Sequence, residues 1–175
     1  MSGYQPDTFY SRVTVLLAEP NLQLREILRD ILLRGIGVGH VQEVRNGDEA
    51  LTALSEQSFD VVVADAAMAP VGAIELTRRI RKGLPGISPY LPVVMMSAHA
   101  SLEEIVTARD AGVNEYLAKP LSAKLLDLRL RSVVKHPRPF VRSDQFFGPD
   151  RRRHEDSRFD GGERRHQDPD LIHQD

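Results

Sequence analysis

The chain predicts an α/β fold, a parallel sheet wrapped by helices on both faces, and three observations carry that prediction. Short apolar runs alternate with amphipathic helical stretches from about residue 12 to residue 135. The runs lack polar alternation, above all Asp60-Val-Val-Val-Ala-Asp65, which suits strands covered on both sides. Parallel strands need crossover helices, and five such runs alternating with five helical stretches make a doubly wound sandwich.

Taken in order, a short polar arm (1–10) precedes Arg12 to Ala18, the first buried strand. Glu19-Pro20-Asn21 turns into a helix, with Pro at or just before its first turn, where a missing N–H does no harm. That helix carries Leu22, Leu24, Ile27, Leu28, Ile31 and Leu32 and stops near Gly35-Ile-Gly37. Val41 to Arg45 is a second strand, more polar and therefore nearer an edge. Asn46-Gly47 closes it, and Asp48-Glu49 opens a helix with Ala50, Leu51 and Leu54 as its apolar residues. The Asp65 strand is third, and the helix after it carries Ile74, Leu76 and Ile80 and ends by Gly83. Leu91 to Met96 is the fourth strand, closed by Ser97. Ser101-Leu-Glu-Glu104 is a capping box that opens the next helix, and Gly112 is a natural left-handed cap at its end. Glu115 to Ala118 is a short fifth strand leading into Lys119-Pro120, and a last helix runs from about Leu121 to Lys135.

From His136 the character changes. Pro137, Pro139, Gly148, Pro149, Gly161 and Gly162 interrupt a segment with little apolar periodicity, which predicts a disordered or loosely docked tail over 136–175. The arm, a domain over 11–135 and this tail make up the chain.

Bulk properties narrow the function. A chain of 175 residues has room for one domain with a real core plus an appendage. Hydrophobic residues make up 41% and charged residues 27%, with a net charge of −2, which argues against bulk nucleic-acid affinity. There is no cysteine, hence no disulfide and no thiolate metal site. The first residues lack the charged and apolar regions of a signal peptide. No apolar run approaches the roughly 20 residues that span a bilayer. The expectation is a cytoplasmic protein.

In open parallel sheets, chemistry sits outside the carboxyl ends of the strands. Four strand ends bring polar groups to that rim: Glu19 after the first, Asp65 on the third, Ser97 on the fourth and Lys119 after the fifth. Singly they read as a turn acid, a helix cap, a strand-end hydroxyl and a surface amine. Together they suit one reaction. An Asp that accepts a phosphoryl group gathers negative charge, which a positioned ammonium offsets and to which a hydroxyl donates. No His-based triad, Walker-type glycine loop or His/Asp metal cluster is visible, so an ordinary enzyme is not expected.

The stretches Val-Leu-Leu-Ala-Glu-Pro-Asn (15–21), Asp-Val-Val-Val-Ala-Asp-Ala-Ala-Met (60–68), Val-Val-Met-Met-Ser-Ala-His-Ala (93–100) and Glu-Tyr-Leu-Ala-Lys-Pro-Leu (115–121) resemble the CheY-like receiver domains of two-component response regulators. The likeness covers about residues 11 to 135. It implies a flavodoxin-like, five-stranded parallel sheet in the order 2-1-3-4-5, for which CheY is itself the stock example of the general rule. It further implies that Asp65 is the phosphoacceptor, charged by a histidine kinase or phosphotransfer protein, and that Lys119 pairs with the phosphoryl group. Ser97 is then the hydroxyl drawn toward it, and Tyr116 the aromatic that switches with Ser97. The Lys119–Pro120 bond is usually cis in this family, as befits proline.

Two features depart from the family pattern. Of the two adjacent acids that normally follow the first strand, Glu19 matches the first and Pro20 replaces the second, which ligates Mg²⁺ directly. Glu19, Asp65 and the Ala67 carbonyl remain as candidate ligands, so a weaker Mg²⁺ site is expected. In Met68-Ala69-Pro70 the family's usual Pro is displaced by one position, and Gly72 stands where an acid is common.

No second folded domain, and so no DNA-binding module, is expected from the residues after the receiver. Output is expected through protein contact on the face of the fourth helix, fifth strand and fifth helix, with a homodimer as one form. On the last helix Leu121, Leu125 and Leu128 form one apolar arc and Leu126, Leu130, Val133 and Val134 a second. One packs on the sheet; a partner, or the tail's Phe140, Phe146 and Phe147, covers the other. The tail's eight Arg stand among nine Asp and Glu, the composition of a solvated linker. Some CheY-like proteins, however, carry Arg-rich tails that bind cyclic di-GMP, for which Arg151, Arg152, Arg153, Arg164 and Arg165 are candidates. A phosphorylation-independent scaffold, suggested by Pro20, is the remaining alternative.

Overall fold

The computed structural model describes residues 9–151 and 170–172. After a short 3-10 helix (Tyr10–Arg12), strands and helices alternate: β1 (Thr14–Ala18), α1 (Leu22–Asp30, continuing as a π-helical turn over Ile31–Ile36), β2 (His40–Val44), α2 (Gly47–Glu56) and β3 (Val61–Asp65). Then come α3 (Ala73–Arg81), β4 (Val93–Ser97), α4 (Leu102–Ala111), β5 (Glu115–Ala118) and α5 (Ala123–Val134). The five strands pair in parallel in the order β2-β1-β3-β4-β5, as expected.

Successive strand residues point to opposite faces, so the apolar runs feed two cores at once. Leu16, Val62, Ala64, Val93 and Met95 face α2, α3 and α4 and meet Leu54, Leu76, Ile80 and Ala108. Val15, Leu17, Val61, Val63 and Met96 face α1 and α5 and meet Leu28, Leu32, Leu126 and Leu130. Side-chain caps start the helices where the polar residues allow it: Asn21, Asn46, Ser101 and Ser122 each accept the N–H three residues on, at 2.9–3.2 Å. Gly112 ends α4 at φ +93°, the left-handed cap that a residue with a Cβ adopts only under strain. Of the two arcs on α5, Leu126, Leu130 and Val133 are buried on the sheet. Leu121, Leu125 and Val134 are partly buried against the same core, and Leu128 is left exposed.

The described part of the tail corrects an expectation; residues 152–169 and 173–175, like residues 1–8 of the arm, lie outside the described residues. Residues 140–149 are neither disordered nor loosely docked: β6 (Phe140–Ser143) and β7 (Phe146–Pro149) form an antiparallel hairpin, and β8 (Asp170–Ile172) pairs with the other edge of β6. Phe140 is only 1% exposed, its ring 5.1 Å from Tyr90 and 5.4 Å from Phe147. These rings pack beside the end of α3 and the loop before β4, not on α5. The physical reason is Arg81. Its guanidinium lies 5.0 Å from the Phe140 ring centre and donates to the carbonyls of Pro89 (2.7 Å), Leu91 (2.8 Å) and Gly112 (2.9 and 3.1 Å) and to Asn114 Oδ1 (2.8 Å). Every N–H is used, all on neutral acceptors, and burial pushes the Arg81 pKa down to about 9. The aromatic hairpin seals this desolvated cation from water.

Candidate functional site

The site sits at the carboxyl ends of the parallel strands, at the opposite end of the sheet from the hairpin. Asp65 ends β3, Glu19 directly follows β1, and Lys119 directly follows β5. The ladder carries each to the rim: Glu19 N donates to Val44 O at 3.1 Å, Ala66 N to Met96 O at 2.7 Å, and Lys119 N to Ser97 O at 2.8 Å. The Lys119–Pro120 peptide is cis, as is Ala69–Pro70.

Glu19, Asp65 and Lys119 form one hydrogen-bonded group. Lys119 Nζ donates to Glu19 Oε2 at 2.8 Å and to Asp65 Oδ2. Both carboxylates are out of water, with the Glu19 side chain 2% and the Asp65 side chain 5% exposed. Asp65 Oδ1 accepts from Ala67 N at 2.7 Å, and Glu19 Oε1 from Asn21 N at 3.0 Å. Burial disfavours the Lys119 ammonium, but bonds to Asp65 and Glu19 and their charges outweigh it, so its pKa stands above the ordinary lysine value.

A buried arginine that sequence reasoning missed adds a second positive charge. Arg25, on α1, donates to the Glu19 carbonyl at 2.6 Å and lies 3.4 Å from Glu43. The signal was present: Arg25 falls on the same helical stripe as Leu28 and Leu32, an inward position where an Arg is out of place unless it has partners.

Ser97 and Tyr116 belong to a second group. Ser97 Oγ lies 3.0 Å from both carboxylate oxygens of Glu104 and accepts from His99 N at 3.0 Å. The Tyr116 hydroxyl lies 2.9 Å from Glu104 Oε2 and 2.9 Å from the His99 carbonyl. The expected single hollow of Asp65, Ser97 and Lys119 is thus divided, with the Ser97 hydroxyl bonded toward Glu104. Sequence reading saw Glu104 only as part of a capping box. Its N–H does bond Ser101 Oγ, at 3.1 Å, but its carboxylate turns to the strand ends. Burial raises the Tyr116 phenol above its ordinary pKa, opposed by the neighbouring Ser97 hydroxyl and helped by the bond to Glu104 and its charge.

The donor set bears on metal binding. Each of the four carboxylate oxygens of Glu19 and Asp65 has one N–H partner and so keeps a lone pair, a hard-oxygen set suited to a small divalent cation. Pro20 contributes no side-chain oxygen, and among the described residues no cluster of three or more acidic, His or Cys ligands occurs. Of the tail arginines, Arg151 pairs with Asp110 at 3.0 Å and lies 4.1 Å from the Phe146 ring centre. Arg152, Arg153, Arg164 and Arg165 lie outside the described residues. No helix among the described residues is long and apolar enough to cross a membrane.

Comparison with known proteins agrees with this architecture. Residues 15–131 match the response regulator receiver domain family. Chemotaxis protein CheY-3 of Vibrio cholerae is 35% identical over 121 residues, covering 69% of this chain and 91% of that protein. The receiver domain of sensor histidine kinase PA1611 from Pseudomonas aeruginosa, solved with a magnesium ion in its active-site cleft, superposes with a TM-score of 0.62 at 26% identity, covering 71% of this chain and 98% of that one. The chemotaxis response regulator CheY4 of Vibrio cholerae shares the fold, with a TM-score of 0.63 at 23% identity over 70% of this chain and 98% of that one. On this evidence the chain belongs to the CheY-like response regulator receiver domains.

Proposed function

We propose that this receiver accepts a phosphoryl group on Asp65 from a phosphohistidine of a histidine kinase or phosphotransfer protein, and signals by protein contact. The observation that carries the reading is the bond from Lys119 to Asp65, a buried carboxylate at a strand end, with Glu19 bonded to the same ammonium. In the transfer, an Asp65 oxygen forms a bond to phosphorus as the N–P bond of the donor breaks. The histidine nitrogen keeps that electron pair and takes up a proton. Lys119 offsets the charge that gathers on the phosphoryl oxygens. Mg²⁺, held by Glu19, Asp65 and the Ala67 carbonyl with water completing its shell, would add counter-charge there. With Pro20 in place of a third acid, that affinity is weak.

Output passes through the surface of α4, β5 and α5, where Tyr116, Leu128 and the N-terminal half of α4 lie. The test is phosphotransfer from acetyl phosphate or a phosphorylated kinase to the full chain, followed by intact mass. A gain of one phosphoryl group in wild type and none in Asp65→Asn supports the reading. Unmodified wild-type protein, with unperturbed Ser97 and Tyr116 resonances, rejects it in favour of a phosphorylation-independent scaffold.

A further inference from the structure

The hydroxyl that the phosphoryl group would use is already engaged. Ser97 and Tyr116 each have one O–H proton, and the same Glu104 carboxylate lies 2.9–3.0 Å from both oxygens. The competing acceptor, the His99 carbonyl, lies 3.2 Å from Ser97 Oγ and 2.9 Å from the Tyr116 hydroxyl. A carboxylate is a stronger acceptor than a carbonyl, so both hydroxyls donate their hydrogen bonds to Glu104. The position of Glu104 is set independently of these contacts. It is the third residue after the Ser101 cap of α4, where an acid favours the helix N-terminus, yet its side chain does not complete the reciprocal half of the capping box.

We propose that Glu104 is a positioning residue, a latch that holds the Ser97 and Tyr116 hydroxyls in the unphosphorylated arrangement and competes with the phosphoryl group for the Ser97 proton. The inference rests on the Asp65 reading above. An acyl phosphate at Asp65 brings strong acceptor oxygens and negative charge to the neighbouring strand end. Ser97 has a single proton, so donating it to the phosphoryl group breaks its bond to Glu104. The carboxylate then keeps only Tyr116, and α4 and Tyr116 are released from β4 together. A signal formed at Asp65 in this way reaches the partly exposed Tyr116 through one shared acceptor.

The test is a titration of the full chain with beryllofluoride in the presence of magnesium, read from backbone amide resonances near Asp65 and Tyr116. Glu104→Gln is expected to bind about tenfold more tightly than wild type, the scale of one hydrogen bond to a charged acceptor. In a Ser97→Ala background the same substitution is expected to change affinity less than about twofold, because no contested proton remains. Tyr116→Phe, which leaves the Ser97 bond in place, is expected to tighten binding less than Glu104→Gln does. Binding by wild type with no gain in Glu104→Gln, or an equal gain in the Ser97→Ala background, overturns the latch and leaves the phosphoacceptor reading standing. Absence of an Asp65-dependent adduct in both wild type and Glu104→Gln overturns that reading and the latch with it.

Discussion

Phe140→Ala tests whether the C-terminal hairpin is part of the receiver's core. The Phe140 ring is fully buried and touches Tyr90, Phe147 and the Arg81 guanidinium. A buried aromatic hides about 150–250 Å². At about 25 cal/mol per Å² that corresponds to roughly 4–6 kcal/mol as an upper bound. Phe→Ala substitutions in cores retain about 3–5 kcal/mol of such figures. Water admitted to the site would also compete for the carbonyls that hold Arg81, so a loss of about 4 kcal/mol is expected. Against a total stability of roughly 5–15 kcal/mol the variant stays folded. For a urea slope near 2 kcal/mol per M, its midpoint falls by about 2 M. Asp65-dependent beryllofluoride binding at 25 °C survives, since Asp65 lies at the far end of the sheet. A loss below about 1 kcal/mol would mean that the hairpin merely rests on the domain, and would refute the packing argument.

Further expectations concern the acid pocket. Lys119→Met strands two buried carboxylates without their shared cation, so it costs about 3–5 kcal/mol at pH 7 by chemical denaturation and abolishes phosphoryl transfer. Because the Lys119 pKa is raised on folding, its stabilisation is complete below the unfolded value of about 10.4 and is lost as pH rises through the folded value. Wild type therefore shows an alkaline stability loss above about pH 10.4 that Lys119→Met lacks, and superimposable alkaline limbs would contradict the bridge. Pro20→Asp restores a third carboxylate, so magnesium affinity measured by calorimetry rises about tenfold or more, while stability without metal falls from added repulsion. An unchanged magnesium affinity would show that Pro20 is not what limits the site.

The strand and helix pattern, the strand ends that carry Glu19, Asp65 and Lys119, and the caps at Ser101 and Gly112 were legible in the sequence, whereas Asn46 reads there as a strand-closing turn and not as the cap it is. Each legible feature depends on near neighbours: unbroken apolar runs make buried strands, and a Ser before a helical stripe meets its own N–H three residues on. Once those runs lie parallel, their ends meet at one rim, so the Lys119 bridge to Asp65 and Glu19 follows from the pattern. Tertiary structure alone decided the rest. Ser97 has one proton and several acceptors within reach, and only the packing of α4 against β4 and β5 assigns it to Glu104. Arg81 looks like a surface charge until the helix face that carries it is buried and carbonyls converge on it, and the inward stripe position of Arg25 does not name the Glu19 carbonyl and Glu43 as its partners. Phe140, Phe146 and Phe147 have no period of their own; they order as a hairpin because the domain offers Tyr90 and a desolvated guanidinium to cover. Contacts between elements depend on distances that close only when the fold does, and local periodicity holds no record of them.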